Sequence, residues 1–250
     1  MDISFILPCR LESLDRENNF KKSIDYLCHH APYHIYILEY DTTAKIPKIL
    51  NNININGANI YYDFIQNSDV LFHKTKLLNI LLKKTTTKVV VNYDIDILLD
   101  PRAYEFCYNL IVDDGYDLIY PYGHGEFLLD LTKDRIEKIN YDFQNITNDD
   151  IKLKICRHGL CQFLSRESYI KYGGMNESFI SYGPEDWELG YRFKKLGLKV
   201  NWINSYIIHL DHDRGINSGR NHIMAKHNYD FFESIKSMSV EELKILYNIK

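Results

Sequence analysis

Three short stretches of this chain carry residue types that could do chemistry. In Lys88 to Pro101 (Lys-Val-Val-Val-Asn-Tyr-Asp-Ile-Asp-Ile-Leu-Leu-Asp-Pro) two carboxylates, Asp94 and Asp96, stand two apart directly after a β-branched run. On extended chain they point the same way, and at the carboxyl end of a strand they would face the place where open α/β sheets keep ligands. A solvated turn is the plainer alternative. In the second stretch, Ser181-Tyr182-Gly183-Pro184 leads into Glu185, Asp186, Trp187 and Glu188. Acids in a first helical turn complement the macrodipole. A carboxylate beside an aromatic wall also suits a sugar-hydroxyl acceptor site, where stacking orients the ring and the acid accepts the hydroxyl proton. The third stretch, His209-Leu210-Asp211-His212-Asp213, offers imidazoles and carboxylates suited to Mn²⁺ or Zn²⁺. His209 and Asp211 share a face of a straight strand, whereas His209 and His212 converge only if the chain turns. Alone, this stretch fits a metal half-site, a His-Asp metal phosphohydrolase or a polar loop.

The elements that must position these groups follow from hydrophobic period. Val89 to Val91 read as a central strand covered on both faces. Asp2 to Pro8 is a strand, Glu17 to His30 a helix with Phe20, Ile24 and Leu27 on one face, and Tyr33 to Glu39 a second strand, making a β-α-β opening. Thr42 to Ser68 reads as loop with a short strand near Ile60 to Phe64. Lys74 to Lys84 is a helix burying Leu77, Leu78, Leu81 and Leu82. Asp100-Pro101 reads as an N-cap and first helical residue of a helix running to about Asp113.

Strands follow at Tyr116 to Pro121, Phe127 to Leu131 and Gly159 to Ser165, and a helix at Arg166 to Tyr172. Asp134 to Lys154 reads as a polar, irregular excursion over the site. Glu185 to Leu196 is a helix, Lys199 to Leu210 extended chain, and Arg214 to Asn221 a mobile loop. Helices at about Ala225 to Lys236 and Val240 to Tyr247 close the chain. The fold class is α/β, with residues 1–222 as the main domain and 223–250 as a helical extension packed on it.

Composition narrows the classes. The chain has 250 residues, 45% hydrophobic and 26% charged, which suits one large globular α/β domain. A net charge of −4 and a pI near 6.2 give no bulk reason to expect nucleic acid or an anionic membrane as partner. No apolar run approaches the roughly 18–20 residues of a bilayer span. The five cysteines lack Cys-x-x-Cys spacing and read as reduced thiols, so a cytoplasmic location is expected.

Taken in chain order, the three stretches resemble the metal-dependent GT-A-fold glycosyltransferases. The resemblance is strongest to the β-1,4-galactosyltransferase group, with kinship to chondroitin polymerase and the polypeptide N-acetylgalactosaminyltransferases. That group opens with a strand ending in Pro-Phe-Arg; here Pro8-Cys9-Arg10 stands there. Its Phe-Asn-Arg-Ala-Lys-Leu-Leu-Asn segment is matched by Phe72-His73-Lys74-Thr75-Lys76-Leu77-Leu78-Asn79, the most specific run. Asp94-Ile95-Asp96 answers its Asp-x-Asp, His158-Gly159-Leu160 its Gly-Gly-Val, and Ser181-Tyr182-Gly183-Pro184-Glu185-Asp186 its Gly-Trp-Gly-Gly-Glu-Asp. Its late metal pair, three residues apart, falls on His209 and His212. The similarity spans roughly Ile3 to Asn217.

The resemblance implies a GT-A, Rossmann-like nucleotide-sugar-binding fold, with a mostly parallel central sheet flanked by helices. It also implies transfer of a hexose or N-acetylhexosamine from a UDP-sugar to a glycan or glycoconjugate hydroxyl. Mn²⁺ or another divalent cation would be held by Asp96, His209 and His212, with Asp94 on ribose or a metal-bound water. Pro8, Arg10 and Lys74 would contact the diphosphate or uridine, Glu39 the base, and Gly159 and Tyr182 the sugar. Asp186 would be the general base of an inverting reaction and Glu185 would position the acceptor. A nucleotidyltransferase acting on a sugar phosphate is the enzyme alternative, although Pro8 to Glu12 lacks the Gly-rich triphosphate loop this needs. An inactive nucleotide-sugar or glycan-binding module is the non-enzyme alternative.

Overall fold

The computed structural model describes residues 1–30, 33–136, 138–141, 147, 149, 151–156, 158–217, 219 and 221–249. In chain order the elements begin β1 (Ile3–Cys9), α1 (Leu14–His29), β2 (His34–Asp41), α2 (Ile46–Leu50), β3 (Asn59–Gln66) and α3 (Lys74–Lys84). There follow β4 (Val89–Tyr93), β5 (Ile97–Leu99), α4 (Pro101–Val112), β6 (Leu118–Tyr120), β7 (Gly125–Leu131) and α5 (Lys133–Ile136). The rest are β8 (Ile151–Cys156), β9 (Cys161–Ser165), α6 (Arg166–Lys171), α7 (Glu185–Lys195), β10 (Val200–Trp202), β11 (Ile207–Leu210), α8 (Ala225–Ser237) and α9 (Val240–Leu246).

The strands form two sheets. The larger has the order β10-β6-β9-β4-β1-β2-β3 and is parallel except for β9, which runs antiparallel to both β4 and β6. The smaller has the order β5-β11-β7-β8. β1 and β4 are buried along their whole length, as continuous apolar runs require when helices cover both faces. Asp94-Ile95-Asp96 is the crossing point between sheets, because β4 belongs to the larger and β5 to the smaller. Main-chain bonds hold it there: Asp94 N–H donates to the Leu160 carbonyl at 2.9 Å, and Leu210 N–H donates to the Asp96 carbonyl at 2.8 Å.

Helix α1 starts as its sequence dictates, with the Ser13 side chain capping Arg16 N–H at 3.3 Å and Asp15 and Glu17 in the first turn. Its buried face ties the smaller sheet down. Asn19 Nδ2 donates to the Leu210 carbonyl at 2.9 Å, Ser23 Oγ to the Ile97 carbonyl at 3.1 Å and Tyr26 Oη to the Leu99 carbonyl at 2.7 Å. Asp100 caps α4 through Arg102 N–H at 2.9 Å with Pro101 in the first turn, as expected.

Three stretches differ from their sequence reading. Part of the excursion expected at Asp134 to Lys154 is the strand β8, paired antiparallel to β7; 137, 142–146, 148 and 150 lie outside the described residues. Its middle residues are exposed, so it lacks the apolar alternation that announces a half-buried strand. Lys199 to Leu210 is two strands in different sheets, β10 beside β6 and β11 between β5 and β7. Thr42 to Ser68 contains the short helix α2 before β3.

A buried ionic cluster fixes α7. Arg192 is fully buried, and its Nε donates to Glu188 Oε1 at 2.8 Å, its guanidinium also reaching the carbonyls of Gly174 and Tyr172. Tyr247, just past α9, covers the guanidinium with its ring at 3.9 Å and donates its hydroxyl to Glu188 Oε1 at 2.7 Å. Phe179, Phe232, Ile235 and Leu243 form a second small core beneath α8 and α9. A hydrogen bond to a buried carboxylate contributes about 1.5–3 kcal/mol. Tyr247→Phe is therefore expected to lower unfolding free energy by about that amount, measured by urea denaturation; an unchanged midpoint would show that Glu188 is satisfied without it. Among the described residues no helix is long and apolar enough to cross a membrane.

Candidate active site

A cleft of about 720 Å³ opens where the two sheets meet. Pro8, Arg10, Lys74, Asp94, Asp96, Gly159, Tyr182, Glu185 and Asp186 all line it, although they come from segments far apart in the chain. Of the expected site residues, Glu39 alone is positioned elsewhere by its bonding. It is fully buried on β2, its carboxylate accepting from Lys45 N–H at 2.8 Å, Ile46 N–H at 3.2 Å and Tyr62 Oη at 2.6 Å. The start of α2 takes up its oxygens, so the structure does not bring it to the cleft.

Two side-chain groups organise the cleft. In the first, ligand-type atoms of Asp96, His209 and His212 lie within 4.8 Å of one another. His212 Nε2 is 3.0 Å from Asp96 Oδ2, and its Nδ1 is occupied by the Asp213 carbonyl at 2.9 Å. His209 Nδ1 meets Asp130 Oδ1 at 2.6 Å, which leaves its Nε2 free to ligate. One carboxylate and two imidazoles suit a borderline divalent cation such as Mn²⁺, so the donor set fits one. Burial raises the Asp96 pKa, but the His212 hydrogen bond and the charges of His209, His212 and Arg16 outweigh it and hold the group below the ordinary value. Arg16 Nη1 lies 3.8 Å from Asp96 Oδ2; α1 carries this residue, and no sequence motif announced it.

In the second group, Lys74 sits among three acids. Its Nζ is 3.0 Å from Asp94 Oδ1, 3.4 Å from Asp186 Oδ2 and 3.8 Å from Glu185 Oε1. Burial opposes the lysine charge, yet these three acids together push its pKa well above the ordinary value. Burial also raises Glu185, with neighbouring Asp186 adding to it, to about 8. One buried Glu185 oxygen has no hydrogen-bond partner.

This makes a sign-definite prediction. The unfolded carboxyl ionises near 4.5, whereas the folded one keeps its proton to about 8. Between those values the folded state binds more protons, so the Glu185 contribution to stability, complete below pH 4.5, is lost as pH rises through 8. Glu185→Gln is expected to gain thermal stability relative to the parent progressively from pH 5 to 9. Parallel melting-temperature curves for the two proteins would contradict the assignment.

The matched segment Phe72 to Asn79 has a visible task. Thr75 Oγ1 donates to the Phe179 carbonyl at 2.9 Å, and Asn79 exchanges bonds of 2.9 and 2.8 Å with the backbone of Met175. Thus α3 both carries Lys74 and clamps the loop that delivers Glu185 and Asp186. Asn217 joins the same wall, its Oδ1 accepting from Phe72 N–H at 3.0 Å and from Ser181 Oγ at 2.8 Å. That anchors one residue of the loop expected to be mobile at Arg214 to Asn221; 218 and 220 lie outside the described residues.

Gly159 has φ +87°, and a Cβ there would come 2.8 Å from Asp186 Oδ2, so only glycine leaves that carboxylate in place. Arg10 leaves β1 against the rings of Tyr40 and Phe72 at 5.2 and 5.6 Å, with Nε bonded to the Tyr40 carbonyl at 3.0 Å. Trp187 is 39% exposed at the mouth, edge-on to Tyr229 of α8 at 6.2 Å and 6.0 Å from His158.

Comparison with known proteins bears on the fold and on one segment of the chain. A family model described as the N-terminal domain of galactosyltransferase matches residues 146–213, a span that holds Gly159, Glu185, Asp186, His209 and His212. Comparison with curated protein sequences gave no match. Among solved structures, a mannosyltransferase from Pyrobaculum calidifontis in complex with GDP-Man and Mn²⁺ superposes with TM-score 0.60 at 13% identity, over 97% of this chain and 66% of that one. S. aureus TarS in complex with UDP-GlcNAc gives 0.57 at 12% identity, over 88% and 61%. A Drosophila β-1,4-galactosyltransferase 7 variant with manganese, UDP-Gal and xylobiose gives 0.50 at 16% identity, over 85% and 71%. The chain spans less than two thirds of the first two proteins. At these identities the likeness establishes the fold, which is that of the GT-A glycosyltransferases.

Proposed function

We propose that this chain, with its GT-A fold and galactosyltransferase-like segment, is a glycosyltransferase. It would move a hexose or N-acetylhexosamine from a UDP-sugar to a hydroxyl of a glycan or glycoconjugate, with inversion. One observation carries the reading: the Asp96-His209-His212 group and the cluster of Lys74 with Asp94, Glu185 and Asp186 meet in one cleft, joined through Asp94-Ile95-Asp96.

Asp96, His209 and His212 would hold the cation, which when bound supplies positive charge to the leaving diphosphate. Arg10 and Lys74 add donors on the diphosphate side, where charge grows as the glycosidic bond breaks. Asp94 would contact the ribose or a water on the cation. Gly159 and Tyr182 border the space left for the transferred sugar. Trp187 and Tyr229 line the cleft and supply aromatic surface against which a pyranose would stack. Glu185, protonated at neutral pH, donates a hydrogen bond to the acceptor, and the Asp186 carboxylate takes the hydroxyl proton as the oxygen attacks. In-line attack assisted by that base would invert the anomeric carbon.

The test is turnover. Uridine- and guanosine-diphosphate sugars are incubated with short oligosaccharide acceptors, with Mn²⁺ or chelator, and products are followed by mass spectrometry and anomeric proton coupling. Nucleotide-diphosphate release that needs Mn²⁺, and a product of inverted configuration, are expected. Release undiminished by chelator, or retention, would overturn the corresponding part of the reading.

A further inference from the structure

The smaller sheet places an acid where none of the chemistry-bearing stretches of the sequence includes one. β11 runs parallel to β7 with His209 opposite Asp130, and β8 lies on the far side of β7. Side chains at one register level of neighbouring strands stand side by side. Asp130 is 6% exposed; one of its oxygens meets His209 Nδ1 at 2.6 Å and the other pairs with Lys154 Nζ of β8. Lys154 stands opposite Leu128 and reaches Asp130 diagonally, so a Lys154-Asp130-His209 chain of contacts across three strands ends at the Asp96-His209-His212 group. Lys154 balances the buried charge of Asp130, so the carboxylate need not draw a proton from elsewhere.

The two imidazoles of the group differ in what stands behind them. His212 Nδ1 meets a neutral main-chain carbonyl, whereas His209 Nδ1 meets a buried carboxylate. A carboxylate behind a metal-ligating imidazole keeps the proton on the far nitrogen, aims the near one and makes it a stronger donor; removing such a partner typically weakens metal affinity by about 10–100-fold.

We infer that Asp130 is the positioning residue of the cation site, fixing the His209 ring so that Nε2 faces Asp96 and His212. This rests on the ligand assignment made under the proposed function. It gives the β7-β8 hairpin a part in cation binding although, among the three ligands, none lies on it.

The test uses the full chain with UDP and Mn²⁺, reading free Mn²⁺ by electron paramagnetic resonance. Asp130→Ala is expected to weaken Mn²⁺ binding by about 10–100-fold. Asp130→Asn keeps an oxygen to accept from Nδ1, so a smaller loss is expected, with a shifted visible band when Co²⁺ replaces Mn²⁺. His209→Ala is measured in parallel. If it loses Mn²⁺ binding while Asp130→Ala and Asp130→Asn bind as the parent does, the positioning role is overturned and the ligand assignment stands. If His209→Ala and His212→Ala also bind as the parent does, the ligand assignment fails and takes the inference with it. Should Asp130→Ala not fold, Asp130→Asn decides: parental affinity together with an unmoved Co²⁺ band overturns the inference.

Discussion

Asp186→Asn is expected to lower the rate of sugar transfer by about 10²–10⁴-fold, the usual contribution of a positioned general base. Donor affinity in the presence of Mn²⁺ should change little. The asymmetry follows from where the side chain sits. Asp186 stands in the first turn of α7, outside the Asp96-His209-His212 group, and its Oδ2 lies 3.4 Å from Lys74. The amide keeps the volume, and so respects the tight approach of Gly159, but it cannot take up a proton. A loss of donor binding as large as the loss of rate would assign Asp186 a structural role instead. Initial-rate kinetics in the acceptor, with a parallel donor-binding titration, separates the two.

Asp96→Ala should abolish metal-dependent transfer. It removes the carboxylate ligand itself and leaves only the two imidazoles, so the loss of Mn²⁺ affinity should exceed the roughly 10–100-fold typical of losing a group hydrogen-bonded behind a ligand. Arg16, 3.8 Å from Asp96, would then face the imidazoles without the carboxylate between them and oppose a cation further. Parental activity in this variant, or parental activity of the wild-type chain in chelator, would remove the cation from the mechanism. Titration of Mn²⁺ dependence for the variant and its parent decides between these outcomes.

Much of the cleft was legible because its residues sit at strand ends and helix starts, where local spacing and three-dimensional position coincide. Asp94 and Asp96 follow a continuous apolar strand; Glu185 and Asp186 follow a Gly-Pro turn; His209 and His212 end an extended run. The spacing did not show that Asp-x-Asp bridges two sheets, since nothing in Lys88 to Pro101 separates a strand that ends from one that changes partner. Glu39 shows the opposite failure. The resemblance implied that Glu39 contacts the base, but the start of a five-residue helix takes up its oxygens.

Asp130, Arg16 and the Glu188-Arg192-Tyr247 cluster escaped sequence reading for a shared reason. Each acts through a partner 79, 80 or 59 positions away, counting Asp130 to His209, Arg16 to Asp96 and Glu188 to Tyr247, and only strand register and helix packing make the pairs. Glu188 and Arg192 are four apart on α7, a spacing that reads as an ordinary surface pair. Their complete burial under Tyr247 makes them the mount for the helix that carries the proposed base.

The central claim is that one cleft binds a nucleotide sugar and a divalent cation together. Thermal unfolding with a panel of UDP- and GDP-sugars, each with Mn²⁺ or with chelator, measures this most directly. The stabilisation expected at a hundredfold excess over the dissociation constant is about 2.7 kcal/mol. A melting-temperature rise is predicted for a UDP-sugar with Mn²⁺, absent in chelator and absent in Asp96→Ala. Equal stabilisation with and without the metal, or none from any nucleotide sugar at millimolar concentration, would contradict it.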